Sequence, residues 1–174
     1  MGKTTLLDAR GIGRALEEMA AAISRSIPPG AELAVIGIRR RGDVLAKRLG
    51  RLLASMGISP SAHGALDITL YRDDLAQKGG TAEVRATLID FDITDRYLVL
   101  VDDVLYTGRT VRAALDALAD LGRPQAIRLA VLVERRGREL PIQADFVGLS
   151  LEEGSQHVKV NLEEVDGCDG VEGR

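Results

Sequence analysis

The sequence predicts an α/β fold in which a parallel sheet is flanked by helices, and three observations carry that expectation. Short apolar runs alternate with segments whose apolar residues recur every three or four positions, the order that builds parallel sheets with right-handed crossovers. The run Tyr97-Leu98-Val99-Leu100-Val101 is apolar at every position, as a strand covered on both faces must be. Two carboxylates and a small-residue loop come directly after it, and the C-terminal edge of such a sheet is where ligands bind.

Along the chain, Asp8 can cap a first helix that carries Ile12, Leu16, Met19 and Ile23 on one stripe, and Pro28-Pro29-Gly30 ends it. Leu33–Ile38 reads as a short buried strand, residues 39–42 as a loop. A second helix is expected to start at Asp43, turning Val44, Leu45, Leu49, Leu52, Leu53 and Met56 inward, with Gly57 closing it. Residues 65–70 read as the next strand. Residues 71–95 are polar, contain Gly79-Gly80 and suggest a long loop or hairpin arm, a length that is usually functional or mobile. After the all-apolar strand, a helix from about residue 110 to 121 places Val111, Ala114, Leu115, Leu118 and Leu121 on one stripe. Gly122 fits its C-terminal cap, and Pro124 blocks continuation. Residues 127–133 form another buried strand, and 145–149 and 157–162 form short closing strands. One domain is expected over residues 1–165, with 166–174 a disordered acidic tail of little apolar content.

With 174 residues, 45% of them hydrophobic and only 3% aromatic, the core must be filled by Leu, Val, Ile and Ala. No apolar run approaches the ~20 residues that span a bilayer, and the first residues lack a signal-peptide pattern. Cys168 is the single cysteine, which points to a cytoplasmic setting and no membrane partner. The net charge of −3 is unevenly spread. From residue 151 onward seven acids face only Lys159 and Arg174, leaving the rest of the chain at +2. A local basic patch is possible there, but not the strongly basic body of a dedicated nucleic-acid binder.

Asp102 and Asp103 sit where carboxylates can accept hydrogen bonds from a polyol or face a metal. Acids at a strand end also occur in phosphoacceptor receiver domains, so the pair alone is ambiguous. The loop that follows decides between them. In Thr107-Gly108-Arg109-Thr110, glycine permits a close backbone approach, and the start of a helix offers N–H groups to an anion. Thr110 could also be a simple cap, which shares the same donors. Acids for a sugar beside a cradle for a phosphate describe one ligand, a sugar phosphate. Gly2-Lys3-Thr4-Thr5 mimics the end of a nucleotide-binding P-loop but lacks the strand and glycine upstream. His63 and His157 have no partner at metal-ligand spacing, and nothing nearby activates Cys168.

The string from Tyr97 to Thr110 resembles the phosphoribosyl-pyrophosphate (PRPP) signature of the type I phosphoribosyltransferases. Leu66-Asp67-Ile68-Thr69-Leu70-Tyr71-Arg72-Asp73-Asp74 and Arg138-Glu139-Leu140-Pro141-Ile142 narrow the match. Together they are similar to the bacterial pyrimidine-operon attenuation regulators that are also uracil phosphoribosyltransferases. That resemblance implies a parallel sheet with a flexible loop arm and a small C-terminal hood. It implies that Asp102 and Asp103 hold the ribose hydroxyls, with Mg²⁺ nearby and bound mainly through PRPP. It implies that Val104, Leu105, Tyr106, Thr107, Gly108, Arg109 and Thr110 receive the 5′-phosphate, and that Arg40 and Arg41 meet the pyrophosphate. Tyr71, Arg72 and Arg85 would belong to the loop that closes over the site, with Arg85 reaching the reaction centre. Arg135 and the strand around Val160 would border the base. Relatives usually carry Thr at position 40 and Asp-Arg-Gly where this chain has Glu134, Arg135 and Arg136.

The functions implied are conversion of uracil and PRPP to UMP and pyrophosphate, and UMP- or UTP-responsive binding of pyr messenger RNA. A homodimer or higher homo-oligomer is implied with them. Transfer to another base, without RNA binding, is the alternative. Leu149-Ser150-Leu151-Glu152-Glu153 replaces a more basic stretch of the relatives, which predicts weak RNA binding. Arg14, Arg25, Lys47, Arg48 and Arg51 could still assemble a patch on the helical face.

Overall fold

The computed structural model describes residues 2–73, 86–152 and 157–174. Its centre is a five-stranded parallel sheet in the order β3-β2-β4-β5-β6, made of β2 (Leu33–Ile38), β3 (Ala62–Leu66), β4 (Tyr97–Leu105), β5 (Ala126–Arg135) and β6 (Phe146–Leu151). Helices α1 (Ala9–Ser26) and α2 (Arg41–Ser55) cover one face, and α3 (Arg109–Leu121) covers the other. The alternation of side chains along β4 divides the core between them. Val99 and Val101 pack with Ile12, Leu16, Leu45 and Leu49, whereas Leu98 and Leu100 pack with Val111, Ala114 and Leu118. Among the described residues, no helix is long and apolar enough to cross a membrane.

Local signals account for the helix ends. The Asp8 carboxylate accepts the Gly11 N–H at 2.7 Å and fixes the start of α1. Gly57 takes a positive φ of 81° just past α2, in the left-handed region where glycine carries no Cβ penalty. Helix α2 begins at Arg41, two residues before the expected start, so the loop after β2 is only a tight turn. It must be tight, because a Cβ on Gly37 would lie 2.2 Å from the Gly42 carbonyl oxygen, and one on Gly42 would lie 2.4 Å from the Val101 oxygen. Met56 is 43% exposed, and the inward face of α3 is Val111, Ala113, Ala114, Ala117 and Leu118 rather than a stripe through Leu115 and Leu121.

Two further expectations differ from the structure. The strand expected at 65–70 lies earlier, at Ala62–Leu66, because its register is set by β2, which runs from Ala34 opposite Ala62 to Ile38 opposite Leu66. Beyond it the Asp67 carboxylate accepts the Thr69 N–H at 2.8 Å and bends the chain into the 3₁₀ turn Thr69–Tyr71, leaving Ile68 buried and Leu70 exposed. The tail is not disordered. Gly170–Gly173 forms β8, which lies between β1 (Thr4–Leu7) and β7 (Val158–Asn161) in an antiparallel hood, with Val171 fully buried. The P-loop mimic is likewise absorbed, since Thr4 and Thr5 pair with Gly173 and Glu172 in this small sheet.

The acids of the C-terminal segment are held by arginines of α2. The Arg48 guanidinium donates to Asp169 at 2.8 Å through both Nη1 and Nη2, and to Glu164 at 3.0 Å through Nε. Arg41 donates to both oxygens of Asp166, which lies in the short helix α4 (Glu163–Asp166). These bonds hold Glu164, Asp166 and Asp169 below the usual carboxylate range and raise both arginines.

Two predictions follow from this packing. Gly37→Ala is expected to destabilise the fold by about 1–3 kcal/mol, as overpacking a tight backbone contact does, and urea unfolding measures it. A carboxylate whose folded pKa is depressed contributes stability above its unfolded pKa of about 4 and loses it as pH falls through the folded value. Asp169→Asn should therefore lower the urea midpoint at pH 6, and the gap to the unmodified protein should close toward pH 3. A gap that stays constant over that range would show that the Arg48 pairing contributes nothing.

Candidate active site

The candidate site forms where the helices stop covering the C-terminal ends of the strands. Strand β4 runs on past its apolar stretch through Asp102 and Asp103 to Leu105. The alternation of β4 breaks across this pair: Leu98 and Leu100 pack toward α3 and Val99 and Val101 toward α2, yet beyond it Val104 packs on the α2 side and Leu105 on the α3 side. Asp102 is only 6% exposed, whereas Asp103 is half-buried. Burial, and then the charge of Asp103, push the Asp102 carboxyl well above the usual range, while the positive charge of Arg72 opposes the rise. The Asp102 carboxylate accepts the Asp103 N–H at 2.9 Å, and the Asp103 carboxylate accepts the Val104 N–H at 2.8 Å.

The loop into α3 is shaped by Gly108, which has φ +92° and precedes the first helical residue. Thr107 Oγ1, one residue before the Gly108 N-cap, accepts the Arg109 N–H at 3.3 Å, and Thr110 lies inside the first helical turn rather than at the cap. The N–H groups of the first turn have no acceptor within the helix and carry the positive end of its dipole. The Thr107 carbonyl accepts from Glu139 and Leu140, at 3.0 and 3.2 Å, which docks the segment after β5 onto this loop.

Arg138 completes that docking. Its guanidinium donates to the Tyr106 carbonyl at 2.7 Å, the Arg135 carbonyl at 2.8 Å and the Ile142 carbonyl at 2.9 Å, and pairs with Glu134. In the sequence Arg138 stands out only as part of a family motif, because no local pattern distinguishes a clamp of this kind. Arg135 stacks over the Tyr106 ring at 4.1 Å, a cation–π contact. Gly137, with φ +125°, is required beneath that ring, because a Cβ would fall 2.2 Å from Tyr106 Cε2. Glu134, Arg135, Arg138, Ser150 and Leu151 line a cavity of about 500 Å³ beside this stack.

The remaining residues separate. Arg109 turns away from the loop, donating to Glu139 and Asp73 at 2.7 Å each. The Tyr71 hydroxyl donates to Asp120 on α3 at 2.7 Å. Arg40 is exposed on the turn after β2, and Arg41 is engaged by Asp166. Beside them Arg39 carries a buried Nε with no acceptor among the described residues. Val160 is 2% exposed and packs into the same core cluster as Val99 and Val101. Arg85 lies outside the described residues, as do residues 74–84 of the expected arm. His63 packs on Gly50, where a Cβ would lie 2.2 Å from its Cε1, and burial lowers its pKa. No cluster of three or more metal-ligating side chains occurs among the described residues.

The phosphoribosyl transferase domain family matches residues 2–166. The bifunctional protein PyrR of Deinococcus radiodurans is 52% identical over 171 residues, covering 98% of this chain and 93% of its own. That of Thermus thermophilus is 53% identical over 171 residues, covering 98% and 94%. Among solved structures, a Trypanosoma cruzi hypoxanthine phosphoribosyltransferase superposes with a TM-score of 0.72 at 20% identity, covering 98% of this chain and 94% of its own. A Bacillus anthracis hypoxanthine-guanine phosphoribosyltransferase does so with 0.71 at 18%, covering 99% of both. These structures share the fold: a parallel five-stranded sheet between helices. The chain belongs to the phosphoribosyl transferase family and, within it, to the bifunctional PyrR proteins.

Proposed function

We propose that the chain transfers the phosphoribosyl group of PRPP to uracil, releasing pyrophosphate and forming UMP, and that residues 1–165 work as one catalytic domain together with the segment that carries β8. The observation that carries the reading is the partly exposed Asp103 and buried Asp102 at the end of β4, immediately before the Gly108 turn and the start of α3. In this reading the two carboxylates accept the ribose hydroxyls, and their charge favours the positive charge that builds at C1′ as pyrophosphate leaves. Backbone N–H groups from Val104 to Thr110, with the Thr107 and Thr110 hydroxyls, cradle the 5′-phosphate. The segment with Arg39, Arg40 and Arg41 faces the pyrophosphate, and the Arg39 Nε, buried without an acceptor among the described residues, supplies a donor suited to an anion. Tyr106 and Arg135 wall the base side, with Arg72 and Arg85 on the arm that excludes water. Displacement needs no covalent nucleophile; orientation and electrostatics supply the rate.

Mg²⁺ fits this donor set. Two carboxylates are too few to enclose a cation alone, so Asp102 and Asp103 would hold it together with PRPP, and Asp102, raised by burial and then by its neighbour, is a place where positive charge is favoured. When bound, the ion neutralises the leaving pyrophosphate.

The second activity of the reading is UMP- or UTP-responsive binding of pyr messenger RNA by a homodimer or larger homo-oligomer. It is supported by the likeness to proteins named bifunctional and by Lys47 and Arg51 on α2. Arg48 is withdrawn from that face by Glu164 and Asp169, which favours weak, strongly salt-dependent binding.

Pyrophosphate release with uracil, compared with hypoxanthine and guanine, tests the base; turnover of the purines alone would overturn it. Asp103→Asn should lower kcat/KM for PRPP by about 10²-fold, the usual cost of one electrostatic contact to the transition state. Asp102→Asn should lower activity similarly yet leave the melting temperature unchanged or higher, because the ionised carboxylate is disfavoured by its burial. If both variants keep full activity, the ribose assignment is wrong.

A further inference from the structure

We propose that Asp166, in the C-terminal hood, is a positioning residue that holds the turn at Arg39-Arg40 and the first residues of α2 in the shape that receives the pyrophosphate end of PRPP. The proposal rests on the phosphoribosyltransferase reading of the site. Arg41 and Asp166 are 125 positions apart, and their side chains are only 26% and 18% exposed. The contact is two-pronged, with Nη2 to Oδ1 at 2.8 Å and Nε to Oδ2 at 3.1 Å. The carboxylate is itself fixed, since Oδ2 also accepts the Leu162 N–H at 2.9 Å. Arg41 also feels the charge of Asp103, one of the two signature acids. The next residue, Gly42, is seated against the Val101 carbonyl just before those acids.

Arg41 thus joins three parts of the molecule: the hood, the turn after β2 and the end of β4. A planar guanidinium held by two parallel bonds fixes direction as well as distance, so the turn that carries it cannot swing independently of the hood. Arg39, whose buried Nε lacks an acceptor among the described residues, lies on that same turn and is aimed by it. Arg48 provides an internal comparison. It is held by the same hood segment through Asp169 and Glu164, but it lies two turns further along α2, away from the phosphate turn.

Calorimetric titration of PRPP with Mg²⁺ into the full chain separates the two roles. Asp166→Asn should weaken PRPP binding about tenfold and raise the KM for PRPP by a similar factor, while the KM for uracil moves less than about twofold. Asp169→Asn should lower the melting temperature but leave PRPP affinity within about twofold. Arg41→Lys keeps the charge without the fork and should fall between Asp166→Asn and the unmodified protein. Equal PRPP affinity in Asp166→Asn and the unmodified protein would overturn the proposal alone, as would an equal loss in Asp169→Asn. An unmodified chain that binds no PRPP would overturn the reading of the site, and the proposal with it.

Discussion

A sheet covered on both faces leaves polar groups only its edges. Strand β4 is buried from Tyr97 to Val101 between α1 and α2 on one side and α3 on the other. An unpaired carboxylate placed among those residues would carry the full cost of desolvation. Asp102 and Asp103 can exist only where that cover ends, and there they meet the start of α3, whose dipole favours negative ligands. The site is therefore a consequence of the layered architecture, and the turn after β2 is drawn into it because Gly37 and Gly42 allow backbone contact at the same edge.

Asp102 shows what that position costs. It is buried, its carboxyl is pushed up by burial and by its neighbour, and only the Asp103 N–H and the charge of Arg72 oppose the rise. Such a group weakens the fold in its ionised form and gains from a ligand or cation that brings positive charge or hydroxyl donors. Function and stability pull in opposite directions at this residue.

Charge is organised differently at the other end of the chain. The acidic C-terminal segment looked like a solvated tail, yet Glu164, Asp166 and Asp169 are paired with Arg41 and Arg48. The pairing orders the hood, places β8 between β1 and β7, and takes one arginine out of the basic face of α2. Opposite charges that appear in the sequence as a local imbalance are neutralised across the fold.

Much of the architecture was legible because its signals are local. The apolar run before Asp102, the stripe Ile12-Leu16-Met19-Ile23, the Asp8 cap and the glycines at 57 and 108 each act through neighbours a few residues away, so periodicity and backbone sterics determined them from sequence alone. The limits of β3, the pairing of Thr4–Leu7 with Gly170–Gly173, the Arg138 clamp on the Tyr106 loop and the Arg41–Asp166 contact were decided by the tertiary structure. A strand of four residues with two threonines has no preference strong enough to identify itself, and an arginine on a turn does not reveal which distant carboxylate it will meet. Those features depend on partners brought together only after the sheet has formed.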